Sequence, residues 1–293
     1  MKLEGIMPPM LTPFKADETI DEEFLRRETR YMLKAGVHGL TVCGSTGEGY
    51  AMTSEEVGTV TGIVRKEAGG KIPVISGVIT DSAKIAISHG LAAHEAGADA
   101  LMVTPVHYVF HPTDEGIIDY YRRIGEAVGL PIIIYNVVPW ATISADLAVK
   151  LMKVKQIQGI KQSGGDIHGL ADMVRAVGSK IPIMTAIDDM LFPSFAIGAS
   201  GAIAAICTIT PELCIKSWEA ARKGDMKQGV DIHHRLLPVW RAVGKGDMPA
   251  RAKEALLQLG RPVGVARSPM IPVDENAKKE IRGALIESGL LKK

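Results

Sequence analysis

The chain has almost no net charge. Its 34 basic and 33 acidic residues leave +1, so no global field draws in nucleic acid or an anionic membrane. Cysteine is scarce: Cys43, Cys207 and Cys214 are too few and too scattered for a disulfide scaffold. They are expected to be reduced thiols filling core space in a cytoplasmic protein. The opening Met1-Lys2-Leu3-Glu4-Gly5-Ile6 has no apolar segment of the kind a secretory signal needs. The most apolar stretch, 196–209, is rich in Gly, Ala and Ser and too short to cross a bilayer. No linker or low-complexity segment interrupts the chain. No G-x-G-x-x-G follows the first apolar run, and the eight histidines include no H-E-x-x-H. The expectation is a soluble intracellular protein with neither a nucleic-acid nor a membrane partner.

What is present is ordinary globular composition, with 46% hydrophobic and 23% charged residues over 293 positions. That length suits a barrel of ~250 residues with an appendage, or two modest domains. One pattern recurs, in which a helical stretch closes on Ala-Gly or Gly-Ala and an apolar run follows within a few residues. It is found at Ala35-Gly36 before 39–43, at Ala96-Gly97 before 100–104, and at Gly198-Ala199 before 201–205. Glycine suits the left-handed residue that ends a helix, and the run suits a strand buried on both faces. Further runs at 6–11, 72–77, 131–136, 156–161 and 181–185 bring the number to about eight. Helical spacing between them, at 21–35, 53–68, 82–96, 114–128 and 144–153, gives repeated βα units.

Eight evenly spread units predict an α/β fold, a (β/α)8 TIM barrel, over an open doubly wound sheet. The barrel is assigned to residues 1–224, with 211–223 as its eighth helix. Residues 225–293 form a C-terminal helical extension, with helices at 226–243, 250–258 and 276–288.

In such a barrel the chemistry sits at the carboxyl ends of the strands. No Asp, Glu or His closes any of the eight runs, which argues against a metal centre. The pairs His107/His111 and His233/His234 read as surface residues. Lys161 is the one charged group on a run. A lysine pointing into a barrel is costly unless paired or neutral, and no carboxylate closes a neighbouring run. As a free amine it would supply the nucleophile that imine formation with a ketone needs. The alternative places Lys161 just past the strand, solvated or bridged to Asp166. Tyr135, one run earlier, suits a proton carrier, or else a core residue with its hydroxyl satisfied. Gly44-Ser45-Thr46-Gly47-Glu48 offers backbone N–H groups and two hydroxyls to a carboxylate, or is a plain turn. Together the three would bind a 2-keto acid.

In those residues the chain resembles the dihydrodipicolinate synthase/N-acetylneuraminate lyase superfamily of class I pyruvate-dependent aldolases. The resemblance runs through Leu11-Thr12-Pro13-Phe14, Gly44-Ser45-Thr46-Gly47-Glu48, Tyr135-Asn136-Val137, Gly159-Ile160-Lys161 and Gly201-Ala202-Ile203. It closes with Arg267-Ser268-Pro269-Met270-Ile271-Pro272. The resemblance implies that Lys161 forms the imine with pyruvate or another keto acid, with no further cofactor, and that Tyr135 is the general acid/base. It implies that Ser45 and Thr46 hold the keto-acid carboxylate, one of them relaying protons to Tyr135. Ile203 would line the pocket through its backbone, and the assembly would be a homotetramer, a dimer of dimers.

The departures concern the second substrate. Synthases of this kind carry an arginine shortly after the Tyr-Asn segment, for the carboxylate of aspartate semialdehyde. Here Tyr135-Asn136-Val137-Val138-Pro139-Trp140-Ala141-Thr142 has none. The cross-dimer tyrosine of a Pro-Tyr-Tyr loop is replaced by a longer 105–112 segment in which Tyr108 is the candidate substitute. Lys161-Gln162-Ser163-Gly164-Gly165-Asp166 is similar to a segment of sialic acid lyases, and Asp188 and Asp189 fall where those enzymes hold substrate hydroxyls. An Asp pair there is also ordinary helix capping. Trp140 suits an apolar wall for a less polar aldehyde, or is a packing residue.

Aldol cleavage or condensation of a hydroxylated 2-keto acid is the first expectation. Dehydration of a keto-deoxy sugar acid is second, and dihydrodipicolinate synthesis third. A non-catalytic keto-acid-binding barrel and a phosphosugar enzyme are the rivals from other classes. For the second rival, the 186–188 and 206–208 loops lack the glycines of a phosphate cradle.

Overall fold

The computed structural model describes residues 2–164 and 166–292; Met1, Gly165 and Lys293 lie outside the described residues. The apolar runs form eight parallel strands: β1 (Gly5–Ile6), β2 (Leu40–Val42), β3 (Val74–Val78), β4 (Ala100–Val103), β5 (Ile132–Asn136), β6 (Ile157–Gln162), β7 (Ile183–Thr185) and β8 (Gly201–Ala202). Hydrogen-bonded neighbours run in the order β1-β8-β7-β6-β5-β4-β3-β2. A parallel bridge between Pro9 and Thr41 joins the two ends, so the sheet closes into the expected (β/α)8 barrel.

β1 and β8 are far shorter than their apolar runs. Pro8 and Pro9 carry no N–H for a ladder, so β1 stops at Ile6 although the chain stays alongside β2. The Thr41 N–H donates to the Pro8 carbonyl at 3.0 Å, and the Met10 N–H donates to the Thr41 carbonyl at 2.7 Å. β8 stops at Ala202, not near 206, because the backbone turns helical at Ala205.

The barrel helices are α1 (Glu22–Ala35), α2 (Ser54–Ala68), α3 (Ala83–Glu95), α4 (Asp114–Val128), α5 (Ala145–Leu151), α6 (Ile167–Val177), α7 (Leu191–Ala196), the single turn α8 (Ile206–Ile209) and α9 (Pro211–Lys223). They start and stop for local reasons. Asp21 accepts from the Phe24 N–H at 3.1 Å, and Thr53 and Glu56 form a reciprocal capping box on α2. Left-handed glycines at 36 and 129 end α1 and α4. α6 and α7 go beyond the helices expected from sequence. α6 buries Leu170, Met173 and Val177 at helical spacing, while α7 is too short to show a period. α10 (Met226–Val243), α11 (Met248–Gln258) and α12 (Glu275–Glu287) follow, with α10 packed on α9 and on α12. None of the described helices is both long and apolar enough to cross a membrane.

There are two main cores. The larger fills the space between strands and helices. The smaller fills the barrel lumen with Leu3, Met7, Ile75, Ala100, Met102, Ile133, Tyr135, Met184 and Ile203. The strands other than β6 therefore send alternate residues inward and outward, and the lumen is a packed plug.

Candidate active site

Lys161 reaches the lumen through an irregularity in β6. Ile157 and Ile160 both pack outward against the helices, which strict alternation forbids, since they are three apart. The register against β5 shifts between Ile132 and Ile133, which pair with Ile157 and Gly159. Gln158 is the extra, exposed residue. A one-residue slip sends every later side chain to the opposite face. Gly159 then points inward, where an added Cβ would lie 2.4 Å from Leu3, and Lys161 points the same way, only 3% exposed.

Tyr135 is the residue opposite Lys161 in the β5–β6 register, and the lysine Nζ lies 3.9 Å from the tyrosine ring centroid. The Tyr135 hydroxyl donates to Ser45 Oγ at 3.1 Å. Of the two hydroxyls in the 44–48 loop, Ser45 is thus the one linked to Tyr135, while Thr46 is buried beside it.

The loop is compact because glycines let backbones touch. A Cβ on Gly49 would sit 1.8 Å from the Cys43 carbonyl oxygen, and one on Gly77 2.3 Å from it. Cys43 itself has φ +53°. Cys43, Cys207 and Cys214 are buried free thiols, and burial pushes Cys43 up to about 12, which suits core filling and not nucleophilic chemistry.

No carboxylate closes a neighbouring strand, but one in the loop after β7 feels the charge of Lys161. Asp188 opens a single 3-10 turn and its Oδ1 accepts from the Ile206 N–H at 2.7 Å. The residue keeps some accessible surface, but protein surrounds its carboxyl. Burial pushes Asp188 up to about 7, opposed by the Ile206 N–H and then by the charge of Lys161. Ile203, fully buried, donates its N–H to the Thr185 carbonyl at 2.9 Å. It faces the same lumen as Tyr135.

Tyr108 and Trp140 stand apart from this cluster, 73% and 64% exposed. Their loops are nevertheless tied together. Trp140 Nε1 donates to the His107 carbonyl at 2.8 Å, and Asp81, after β3, accepts from the Tyr108 N–H at 2.8 Å. His107 is half-buried, its Nδ1 2.9 Å from the Pro105 carbonyl.

Sequence reasoning missed the network that anchors the Trp140 loop. Asn136 Nδ2 donates to Gln162 Oε1 at 2.8 Å and to the Ile143 carbonyl at 2.9 Å. Its Oδ1 accepts from the Ile143 N–H at 2.8 Å. The signal was two amide side chains immediately after Tyr135 and Lys161 on neighbouring strands. They have each other as buried partners.

A sequence model of the dihydrodipicolinate synthetase family matches residues 2–288. The chain belongs to this family. It is 33% identical over 295 residues to the 4-hydroxy-tetrahydrodipicolinate synthase of Methanopyrus kandleri, covering 99% of this chain and 98% of that one. The enzyme of the same name from Methylobacterium radiotolerans is 33% identical over 293 residues, covering 99% and 97%.

Among solved structures, the dihydrodipicolinate synthase of Acinetobacter baumannii, complexed with pyruvate, superposes with a TM-score of 0.93 at 28% identity. That match covers 99% of this chain and 100% of the other. The YagE protein of E. coli, of the dihydrodipicolinic acid synthase family and also in complex with pyruvate, gives 0.94 at 27% over 99% and 100%. As a dihydrodipicolinate synthetase family member the protein is a lyase of the class I aldolase type. Such enzymes work through a keto-acid Schiff base on a lysine and need no external cofactor.

Proposed function

We propose that Lys161 is the imine-forming lysine of a pyruvate-dependent aldolase, with Tyr135 and Ser45 as its proton relay. The carrying observation is the continuous line Lys161–Tyr135–Ser45, held by the β5–β6 register and by the 3.1 Å hydrogen bond. The Lys161 amine adds to the C2 carbonyl of the keto acid, and water leaves to give the imine. Loss of a C3 proton yields an enamine, with the imine nitrogen as the electron sink. The enamine carbon attacks an aldehyde, whose oxygen takes up a proton, and hydrolysis releases the product and Lys161. Cleavage is the same sequence reversed.

Tyr135 is the group placed to deliver and collect these protons, through Ser45 when the acceptor lies toward the loop. Ser45, Thr46 and the loop's backbone N–H groups take the keto-acid carboxylate, and Ile203 borders the methyl end of pyruvate. Asp188, whose carboxyl feels the charge of Lys161, is assigned to a substrate hydroxyl.

The second substrate is read from the mouth. Residues 137–142 supply no arginine, and Trp140 stands there instead, so an uncharged or hydroxylated aldehyde suits the site better than one carrying a carboxylate. Bidentate Arg–carboxylate bonds are among the strongest polar contacts, and their loss discriminates against such a substrate. The names of the relatives favour a second reading, 4-hydroxy-tetrahydrodipicolinate synthesis. Condensation rates with pyruvate and a panel of aldehydes decide between them. We place the enzyme as a homotetramer, a dimer of dimers. The exposed Tyr108, Val109 and Phe110 support an interface at the mouth, and light scattering tests the assembly. One structural neighbour, 29% identical, is described as a monomeric variant.

A further inference from the structure

The 44–48 loop is braced from both sides by residues outside it. On one side Thr12 Oγ1 donates to the Gly47 carbonyl at 2.7 Å. On the other, the Glu48 carboxylate meets Lys253 of α11, Nζ to Oε1 2.7 Å, with side chains only 1% and 3% exposed. The second oxygen, Oε2, accepts from the Arg267 N–H at 2.7 Å. Lys253 also donates to the Val265 carbonyl. Lys253 and the Arg267 guanidinium lie 4.8 and 4.2 Å from the Phe14 ring centroid. Arg267 reaches on to the carbonyls of Ala51 and Glu18 and pairs with Glu56. The chain after β1, the loop after β2 and the segment after α11 therefore meet at one node.

Two features set this node apart from general packing. Glu48 has φ +59°, a left-handed conformation disfavoured for a residue with a side chain and kept only where the surroundings impose it. A buried ion pair is also a poor way to gain stability, since apolar residues of similar volume commonly do as well or better. What the charges add is direction, fixing the end of the loop against α11 and the Arg267 backbone. Burial lowers the Lys253 proton affinity, and the Glu48 charge opposes that loss.

We propose that Glu48 and Lys253 are positioning residues that hold the Ser45 and Thr46 hydroxyls in place for the keto-acid carboxylate. α11, which contributes no strand to the barrel, thereby sets the affinity for pyruvate. The inference rests on the reading of Ser45 and Thr46 given under Proposed function.

The test uses pyruvate alone. Lys253→Met and Glu48→Gln are labelled with pyruvate and borohydride over a range of pyruvate concentrations, and their thermal unfolding is recorded. Arg65→Met, which breaks the Arg65–Asp99 pair (2.9 Å) beside the start of β3, is the control. In both loop variants the concentration for half-maximal labelling of Lys161 rises about tenfold or more, while saturating pyruvate still labels fully. The control lowers Tm with half-saturation unchanged. Unchanged half-saturation in folded loop variants overturns the proposal, as does loss of labelling at saturation.

The double variant Glu48→Gln with Lys253→Met removes both charges of the pair and covers a single variant that fails to fold. It regains Tm but keeps the raised half-saturation, and recovery of both together overturns the proposal. If the unsubstituted enzyme labels elsewhere than Lys161, the underlying reading of the site fails instead.

Discussion

Tyr135 and Lys161 are register partners on adjacent parallel strands, and the lysine nitrogen lies 3.9 Å from the tyrosine ring centroid. The pairing depends on the bulge at Gln158. Without it Lys161 would face the surrounding helices, where an unpaired ammonium costs several kcal/mol. With it, amine and phenol share the mouth of the lumen with Ser45 one hydrogen bond away.

Tyr135→Phe keeps the ring that fills the lumen and removes the hydroxyl. Turnover should fall by roughly 10²–10⁴-fold while pyruvate still labels Lys161 under borohydride. A loss below tenfold takes Tyr135 out of the relay. Ser45→Ala should lower turnover as well, and pre-steady-state imine formation separates its effect on proton transfer from its effect on carboxylate binding.

Asp188 gives a pH dependence with a definite sign. Its carboxyl is raised by burial from the ordinary 3.8 to about 7, so the folded state holds the proton more tightly than the unfolded state. That contribution to stability is complete below about pH 4 and is lost as pH rises through about 7. Asp188→Asn should therefore raise Tm at pH 8 relative to the parent and flatten the fall in Tm between pH 4 and 8. An identical pH profile in the variant contradicts the assignment.

Asn136→Ala leaves the Gln162 amide and the Ile143 N–H and carbonyl without partners in a buried setting. A loss of about 1–3 kcal/mol in unfolding free energy is expected. The loop carrying Trp140 should exchange its amide hydrogens faster than in the parent. Unchanged protection at 137–143 would mean that other contacts anchor this loop.

Aspartate semialdehyde should be a poor partner for pyruvate. A kcat/KM at least about tenfold below that for an uncharged hydroxyaldehyde corresponds to one lost charged contact. Rapid condensation with aspartate semialdehyde would assign the activity that the relatives' names carry, and would mean that another group replaces the arginine.

The barrel was legible in the sequence because buried parallel strands read as continuous apolar runs and helices close on glycine. Boundaries moved where backbone chemistry overrode hydrophobicity, at Pro8-Pro9 and at the turn into α8. Lys161, Tyr135 and the 44–48 loop could be named because each stands at a strand end. The inward aim of Lys161 could not, since it turns on a single bulged residue whose identity carries no signal. Asp188 near Lys161, and Glu48 against Lys253, join residues far apart in the chain through loop geometry. No local pattern announces such pairs.

The most direct test is borohydride reduction in the presence of pyruvate, followed by peptide mass spectrometry, with Lys161→Ala alongside. The account predicts a reduced pyruvyl adduct on the peptide carrying Lys161, with neither adduct nor turnover in the variant. An adduct on another lysine, or full activity in Lys161→Ala, would contradict it.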